Sequence, residues 1–222
     1  MNTNITLTIE NGDRLNSIEF EKLSHTIPEN IKTELINGVV YMAAALRYEG
    51  HGLPHSLIIT WLGFYMANTF GVELADNATI RLDLDNQPQP DALLRIKKGG
   101  QSRVSKDDYI EGAPELIVEI AGSTASYDLH DKLQVYRRHG VKEYIVWQVY
   151  SRKIDWFYLH EGKYLTFEPD SEGLIESQVF PALVLAVDSL LEYDLAKVLS
   201  ILQKHLNSDR HSAFVQKLNL NN

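Results

Sequence analysis

No cysteine occurs in this chain of 222 residues. Its absence excludes disulfide frameworks, thiolate zinc sites and cysteine nucleophiles, and it fits a reducing compartment. Long apolar runs are missing too. No stretch approaches the roughly 18 residues of a membrane span, and the opening MNTNITLTIENGDRLNS lacks the basic-then-apolar order of a signal peptide. A cytoplasmic protein with no membrane contact is expected. GxGxxG and P-loop patterns are absent, and no serine sits in a nucleophile-elbow pattern. Positive charge is scarce: 21 Lys and Arg against 30 Asp and Glu give a formal net charge of −9. Nonspecific nucleic-acid affinity rests mainly on Lys and Arg neutralising phosphates, so a broad nucleic-acid surface is disfavoured. A site that binds divalent cations must itself be acidic, however, and there only the local field at the cleft matters.

What is present is ordinary for a globular protein. Hydrophobic residues make 44% of the chain and charged ones 23%, which points to no disordered or fibrous class. The length suits one well-buried core; a single domain over residues 1–206 is expected, with a frayed tail over 207–222. Ile5–Ile9 alternates like a half-buried strand, Asn11-Gly12 marks a turn, and Ser17 reads as the N-cap of a short helix reaching about Ser24 and ended by Pro28-Glu29-Asn30. KTELINGVVYMAAA is two β-rich runs joined by Asn37-Gly38, a strong hairpin signal. Pro54 to about Asn68 carries Leu57, Ile58, Trp61, Leu62 and Tyr65 at helical spacing. Strands are expected at 72–74, 79–84, 90–96 and 115–121, and the polar KKGGQSRVSKDDYIEG should be a mobile surface loop. A helix capped by Ser126, with a stripe of Leu129, Leu133 and Tyr136, should stop at Gly140. EYIVWQVY, KIDWFYLH and KYLTFEP read as three further strands before a final helical stretch to about Leu206.

Two acids lie at or inside strands: Asp91 in QPQPDALLRI and Glu119 in APELIVEIAGSTASYDLHDK. A carboxylate in an apolar strand is costly unless compensated. Asp91 and Glu119 are spaced for strand, loop and return strand, so the two could lie side by side. A bound Mg²⁺ or Mn²⁺ would resolve their repulsion, since such an ion favours one or two carboxylates plus waters and phosphate oxygens. Taken singly, each acid is as well explained by a structural ion pair. Lys132 could likewise be no more than an i,i+4 partner of Asp128. Gly52 and Pro54 argue against His51 and His55 sharing one helical face.

The blocks TELINGVVYMAA, QPDALLRI, GAPELIVEIAGSTASYDLHDKLQVYRRHGVKEYIVW and FPALVLAVDSLL, in that order, resemble the Uma-type family of restriction endonucleases within the PD-(D/E)XK nuclease superfamily. The resemblance covers about Ser17 to Leu191. It implies an α/β restriction-endonuclease-like fold, a central mixed sheet flanked by helices, and a metal-dependent endonuclease acting on nucleic acid, DNA first, as a homodimer. It further implies catalytic roles for Asp91, Glu119, Lys132 and Glu34, with Asp91, Glu119 and Ile120 as the metal set. Apart from the resemblance, His55 at a helix start could meet a phosphate or water, and Ser123 and Thr124 could offer hydroxyls and helix-N-terminal amides to a phosphate, while a polar loop histidine and helix caps are the plainer readings. One departure stands out: the superfamily lysine belongs two residues after the second acid, where this chain has Ala121. Lys132 on the following helix can replace it. A nuclease of this kind should also turn Lys97, Lys98, Arg103 and Lys106, or Arg137 and Arg138, toward its cleft. The alternative is a catalytically silent binding module of the same fold.

Overall fold

The computed structural model describes residues 8–28, 31–43 and 45–220. Helix α1 (Ser17–Ser24) begins one residue earlier than expected, because Asn16 rather than Ser17 caps it: its side chain accepts from Glu19 N while the Glu19 carboxylate accepts from Asn16 N. The hairpin β1 (Thr33–Ile36) and β2 (Val39–Met42) turns at Asn37 and Gly38, both at positive φ, as a tight two-residue turn requires. A π turn, Tyr48–Gly52, runs directly into α2 (Leu53–Asn68). Strands β3 (Val72–Asp76), β4 (Ile80–Arg81) and β5 (Ala92–Ile96) follow, then the short β6 (Arg103–Val104) and β7 (Ile110–Glu111), and the fully buried β8 (Leu116–Ala121). Next come α3 (Ala125–Tyr127), a second π turn at Asp128–Lys132 and α4 (Leu133–His139). The remainder is β9 (Glu143–Gln148), β10 (Lys153–His160), β11 (Lys163–Thr166), β12 (Leu174–Glu176), β13 (Val184–Ala186), α5 (Val187–Leu191), α6 (Leu195–Leu206) and α7 (Asp209–Leu220). The strand expected at Ile5–Ile9 falls largely outside the described residues, as do Glu29 and Asn30.

A six-stranded mixed sheet in the order β11-β10-β9-β8-β5-β3 forms the centre. Only β8 and β9 run parallel within it, joined through the helical stretch 125–139 as a crossover demands. Alternate residues of the sheet feed two cores. Leu94, Val118, Ile120, Ile145 and Trp147 pack under α2, while Leu93, Ile117, Ala121 and Val146 pack with Tyr136 on the α4 side. The aromatics of α2 also satisfy their polar tips: Trp61 Nε1 donates to Val184 O at 3.0 Å and Tyr65 Oη to Pro181 O at 3.0 Å. This is the expected α/β architecture, a mixed sheet flanked by helices.

Three sequence readings are corrected here. The segment KKGGQSRVSKDDYIEG is pinned: the buried Glu115 carboxylate accepts from Ile96 N and Gln101 N, both at 2.8 Å, and β6 and β7 pair and continue onto β4. The segment expected to fray is helical over Asp209–Leu220, where α7 places His211, Phe214 and Leu218 on one face. His211 lies 2.9 Å from both Thr69 Oγ1 and Leu206 O, and Phe214 meets Phe180 edge-on. Thr124, not Ser126, occupies the cap position before α3, and Ser126 is exposed.

Glu143 supplies a pH test of this packing. Buried at the start of β9, it accepts from Gln178 N at 2.7 Å, Val179 N at 3.1 Å and Trp156 Nε1 at 3.2 Å. Burial outweighs these donors and pushes its carboxyl up from 4.5 to about 7. A carboxyl raised on folding leaves stability intact below its unfolded value and costs stability as pH rises through its folded value. Denaturant titrations should therefore show stability falling by up to about 3 kcal/mol between the unfolded and folded values, and Glu143→Gln should flatten that slope. An equal slope in both proteins would refute the assignment.

Candidate active site

The register of the central sheet positions the two acids. Ala92 lies opposite Val118 and Leu93 opposite Ile117, so one step beyond the ladder Asp91 falls opposite Glu119. Glu119 shares its parity with Ile117 and Ala121 and so faces α4 rather than α2. The helical stretch after β8 doubles back over this strand end. It buries Lys132, whose Nζ stands 2.9 Å from Glu119 Oε1, 2.9 Å from Glu34 Oε1 and 3.8 Å from Asp128 Oδ1. Lys132 is therefore far more than an i,i+4 partner of Asp128. The π turn accounts for the fit: its extra residue per turn lets both Asp128 and Lys132 face inward while Leu129 and Leu133 pack on the core. Tyr136 Oη adds a 2.9 Å bond to the same Glu119 oxygen. Glu34 is held from the other side by Gln89 N at 2.7 Å.

Asp91 has partners that sequence reasoning missed. Lys32 Nζ and His51 Nε2 lie 2.8 and 3.2 Å from its Oδ1, and Ile120 N donates to Oδ2 at 2.7 Å. His51 reaches this place because Tyr48–Gly52 is a π turn, in which Gly52 N bonds back to Arg47 O at 3.0 Å. The wider turn carries the chain helically into Pro54, so Gly52 and Pro54 do not separate the two histidines: their ring centroids are 5.3 Å apart. His55 itself is not among the residues that line the cavity. Its Nε2 is 3.0 Å from the Asp91 carbonyl oxygen and 3.1 Å from Asp76 Oδ1, so it supports the backbone that presents Asp91.

These groups line a cavity of about 480 Å³, which also includes Ser123 and Thr124 at its exposed side. Ile120 lines it as well. Its side chain belongs to the core beneath α2, so it is the Ile120 backbone that faces the cavity. None of Lys97, Lys98, Arg103, Lys106, Arg137 or Arg138 lines this space. Lys97 pairs with Glu73, Arg103 with Glu111, and Arg138 donates to Asn37 Oδ1. The expectation that these cations face the cleft is corrected: the ordered 97–112 segment and the far end of α4 hold them elsewhere.

The electrostatics separate the acids. Burial pushes Asp91 up, but the His51 hydrogen bond and the Lys32 ammonium outweigh it and hold its carboxyl well below the usual range. For Glu119, burial together with the charges of Asp91 and Asp128 outweighs Lys132 and raises the carboxyl to about 8. Lys132 is held cationic: burial favours its neutral form, but Glu119, Glu34 and Asp128 together raise it well above its ordinary value. Among the described residues no group of three or more His, Asp and Glu side chains is arranged as a metal site. The donor chemistry nevertheless suits a hard cation. Once Glu119 has given up its proton, four carboxylates (Glu34, Asp91, Glu119, Asp128) against two ammonium groups (Lys32, Lys132) leave two formal negative charges, which one Mg²⁺ or Mn²⁺ would neutralise, with water and phosphate oxygens completing its shell.

A mixed sheet that presents two acids on neighbouring strands and a lysine from the crossing helix has the architecture of the nuclease superfamily named for its PD-(D/E)XK pattern. The chain belongs to the Uma2 family, described as "putative restriction endonuclease", whose family model matches residues 18–188. Among solved structures it is similar to a putative nuclease belonging to DUF820 from Anabaena variabilis. The TM-score is 0.59 at 14% identity, covering 78% of this chain and 97% of the other, a likeness of fold. No curated protein matches. Among the described residues no helix is long and apolar enough to cross a membrane.

Proposed function

We infer that the cavity is the active site of a metal-dependent endonuclease that hydrolyses nucleic-acid phosphodiester bonds. The observation that carries this reading is the convergence of Asp91, Glu119, Lys132 and Glu34, from four separate elements, on one cavity. Asp91, Glu119 and the Ile120 backbone would hold Mg²⁺ or Mn²⁺. When bound, the ion supplies Lewis-acid activation of a water and stabilises charge developing at phosphorus.

The chain's own groups do the rest. Asp91 is ready as an anion, its second oxygen aimed by the Ile120 amide. Lys132 stays protonated, so it acts as a hydrogen-bond donor and charge stabiliser for water and phosphate, not as a base. Glu34 orients Lys132, and Ser123 and Thr124 offer hydroxyls at the mouth to an incoming phosphate. The test is incubation of the purified protein with nucleic acid in Mg²⁺ or Mn²⁺. Products that require the ion support the reading; ion binding with no cleavage of any substrate leaves a silent module of nuclease fold.

A homodimer belongs to this reading on the family resemblance alone. The aromatic strand β10 is covered within the chain and calls for no partner: Trp156 is buried, Phe157 stacks on Tyr144, and Tyr158 lies 4.6 Å from Phe167. Light scattering at micromolar concentration should give twice the mass of one chain; the single-chain mass would remove the dimer.

A further inference from the structure

The mouth of the cavity is aromatic where a duplex-binding nuclease would be basic. Tyr150 lines it and is 64% exposed, and the half-buried Tyr41 and Tyr127 line it too. Tyr150 is firmly placed. It sits in the turn after β9, where Val149 N bonds to Ala121 O at 3.0 Å and Arg152 N to Val149 O at 3.1 Å. Its ring rests on two glycines: a Cβ at Gly50 would come within 2.5 Å of its hydroxyl, and one at Gly122 would meet its Cε2 at 3.9 Å. A side chain that is both fixed and largely exposed has one ring surface available to a ligand. Arg47 is the exposed cation among the described lining residues, since Lys32 and Lys132 point inward to Asp91, Glu34 and Glu119.

Two physical limits follow. Duplex affinity comes mainly from several Lys and Arg neutralising phosphates, and this mouth has one, on a chain of net charge −9. A duplex is also stiff and keeps its bases stacked inward, whereas Asp91 and Glu119 are only 4% and 2% exposed at the base of the cavity. A single strand is less bound by either limit. Its unstacked bases can lie on tyrosine rings, which contributes affinity without cationic charge, and its flexible backbone can dip one phosphate past Arg47.

We propose that the substrate is single-stranded nucleic acid, a base stacked on Tyr150 while a backbone phosphate enters the cavity toward Asp91 and Glu119. The chemistry rests on the nuclease reading; the binding does not.

The experiment separates the two. Fluorescence anisotropy of short labelled oligonucleotides is measured in EDTA, so that nothing is cut, with single-stranded DNA, single-stranded RNA and a blunt duplex as probes. Wild type should bind a single strand about tenfold or more tighter than the duplex. Tyr150→Ala should weaken that binding by about tenfold, Tyr150→Phe should retain it, and unchanged melting temperatures would show intact folds. Tightest binding of either single strand supports the proposal, and the ratio of the two names the sugar. Equal or tighter duplex binding, or single-strand affinity indifferent to Tyr150→Ala, overturns it. Cleavage in Mn²⁺ is then read separately. Stacked single strands left uncut would sink the nuclease reading and leave this one standing, and duplex cleavage with no single-strand preference would do the reverse.

Discussion

Asp91→Ala is expected to abolish divalent-ion binding and to lower cleavage by roughly 10³-fold or more, on the scale of losing a residue on which catalysis depends. Asp91 carries one of the two carboxylates offered to the ion, and it is the acid already ionised, since His51 and Lys32 hold its carboxyl low. Glu119, raised to about 8, would have to release a proton first. Removing Asp91 therefore removes the anion that is ready to ligate and leaves Lys32 without its 2.8 Å partner, a positive charge beside the place where the ion must sit. Calorimetric titration with Mn²⁺ reads the binding, and an oligonucleotide cleavage assay reads the rate. Wild-type ion affinity in Asp91→Ala would place the metal elsewhere and discard the site.

Lys132→Met should behave differently on both readouts. Turnover should fall by roughly 10²-fold or more, the usual cost of losing one charge-stabilising donor, while ion binding persists because Asp91 and Glu119 remain. Stability should also become ion-dependent. Lys132 is the shared cation of Glu34, Glu119 and Asp128, and breaking a buried ion pair by deleting one partner typically costs about 3–5 kcal/mol. A divalent ion in the same cavity can replace the lost charge, so Mn²⁺ should raise the melting temperature of Lys132→Met more than that of wild type. Unchanged cleavage by a folded Lys132→Met would shift the catalytic role to Lys32, the other ammonium in the cavity, because Lys97 and Lys98 do not line it.

Much of the fold is legible in local pattern. The hairpin at Asn37-Gly38 follows from two positions that need positive φ, and α2 follows from apolar residues repeating at the helical period. Strand β8 follows from an apolar run too short for a helix. The same pattern marks Glu119 as an acid with a debt to a partner, since nothing near it in sequence can neutralise it. The helical stripe His211, Phe214, Leu218 was equally legible, and the tail could have been read as helix from it. The pinned 97–112 segment was not, because its anchor is Glu115, a buried acid that satisfies backbone donors up to 19 positions away.

By itself, the sequence determined the strands of the central sheet and its covering helix α2, in what order they come, and which acids lie among them, because period and turn chemistry are properties of neighbouring residues. The tertiary structure alone decided what those acids touch. Lys32 reaches Asp91 across 59 positions and Tyr136 reaches Glu119 across 17. Both contacts depend on the β5–β8 register and on how the hairpin and the crossover helix lie over the sheet end. The two π turns that aim His51 and Lys132 inward each add one residue to a helical turn. Whether that insertion is tolerated depends on what the displaced side chains meet across the cavity, and no local pattern in the sequence contains that information.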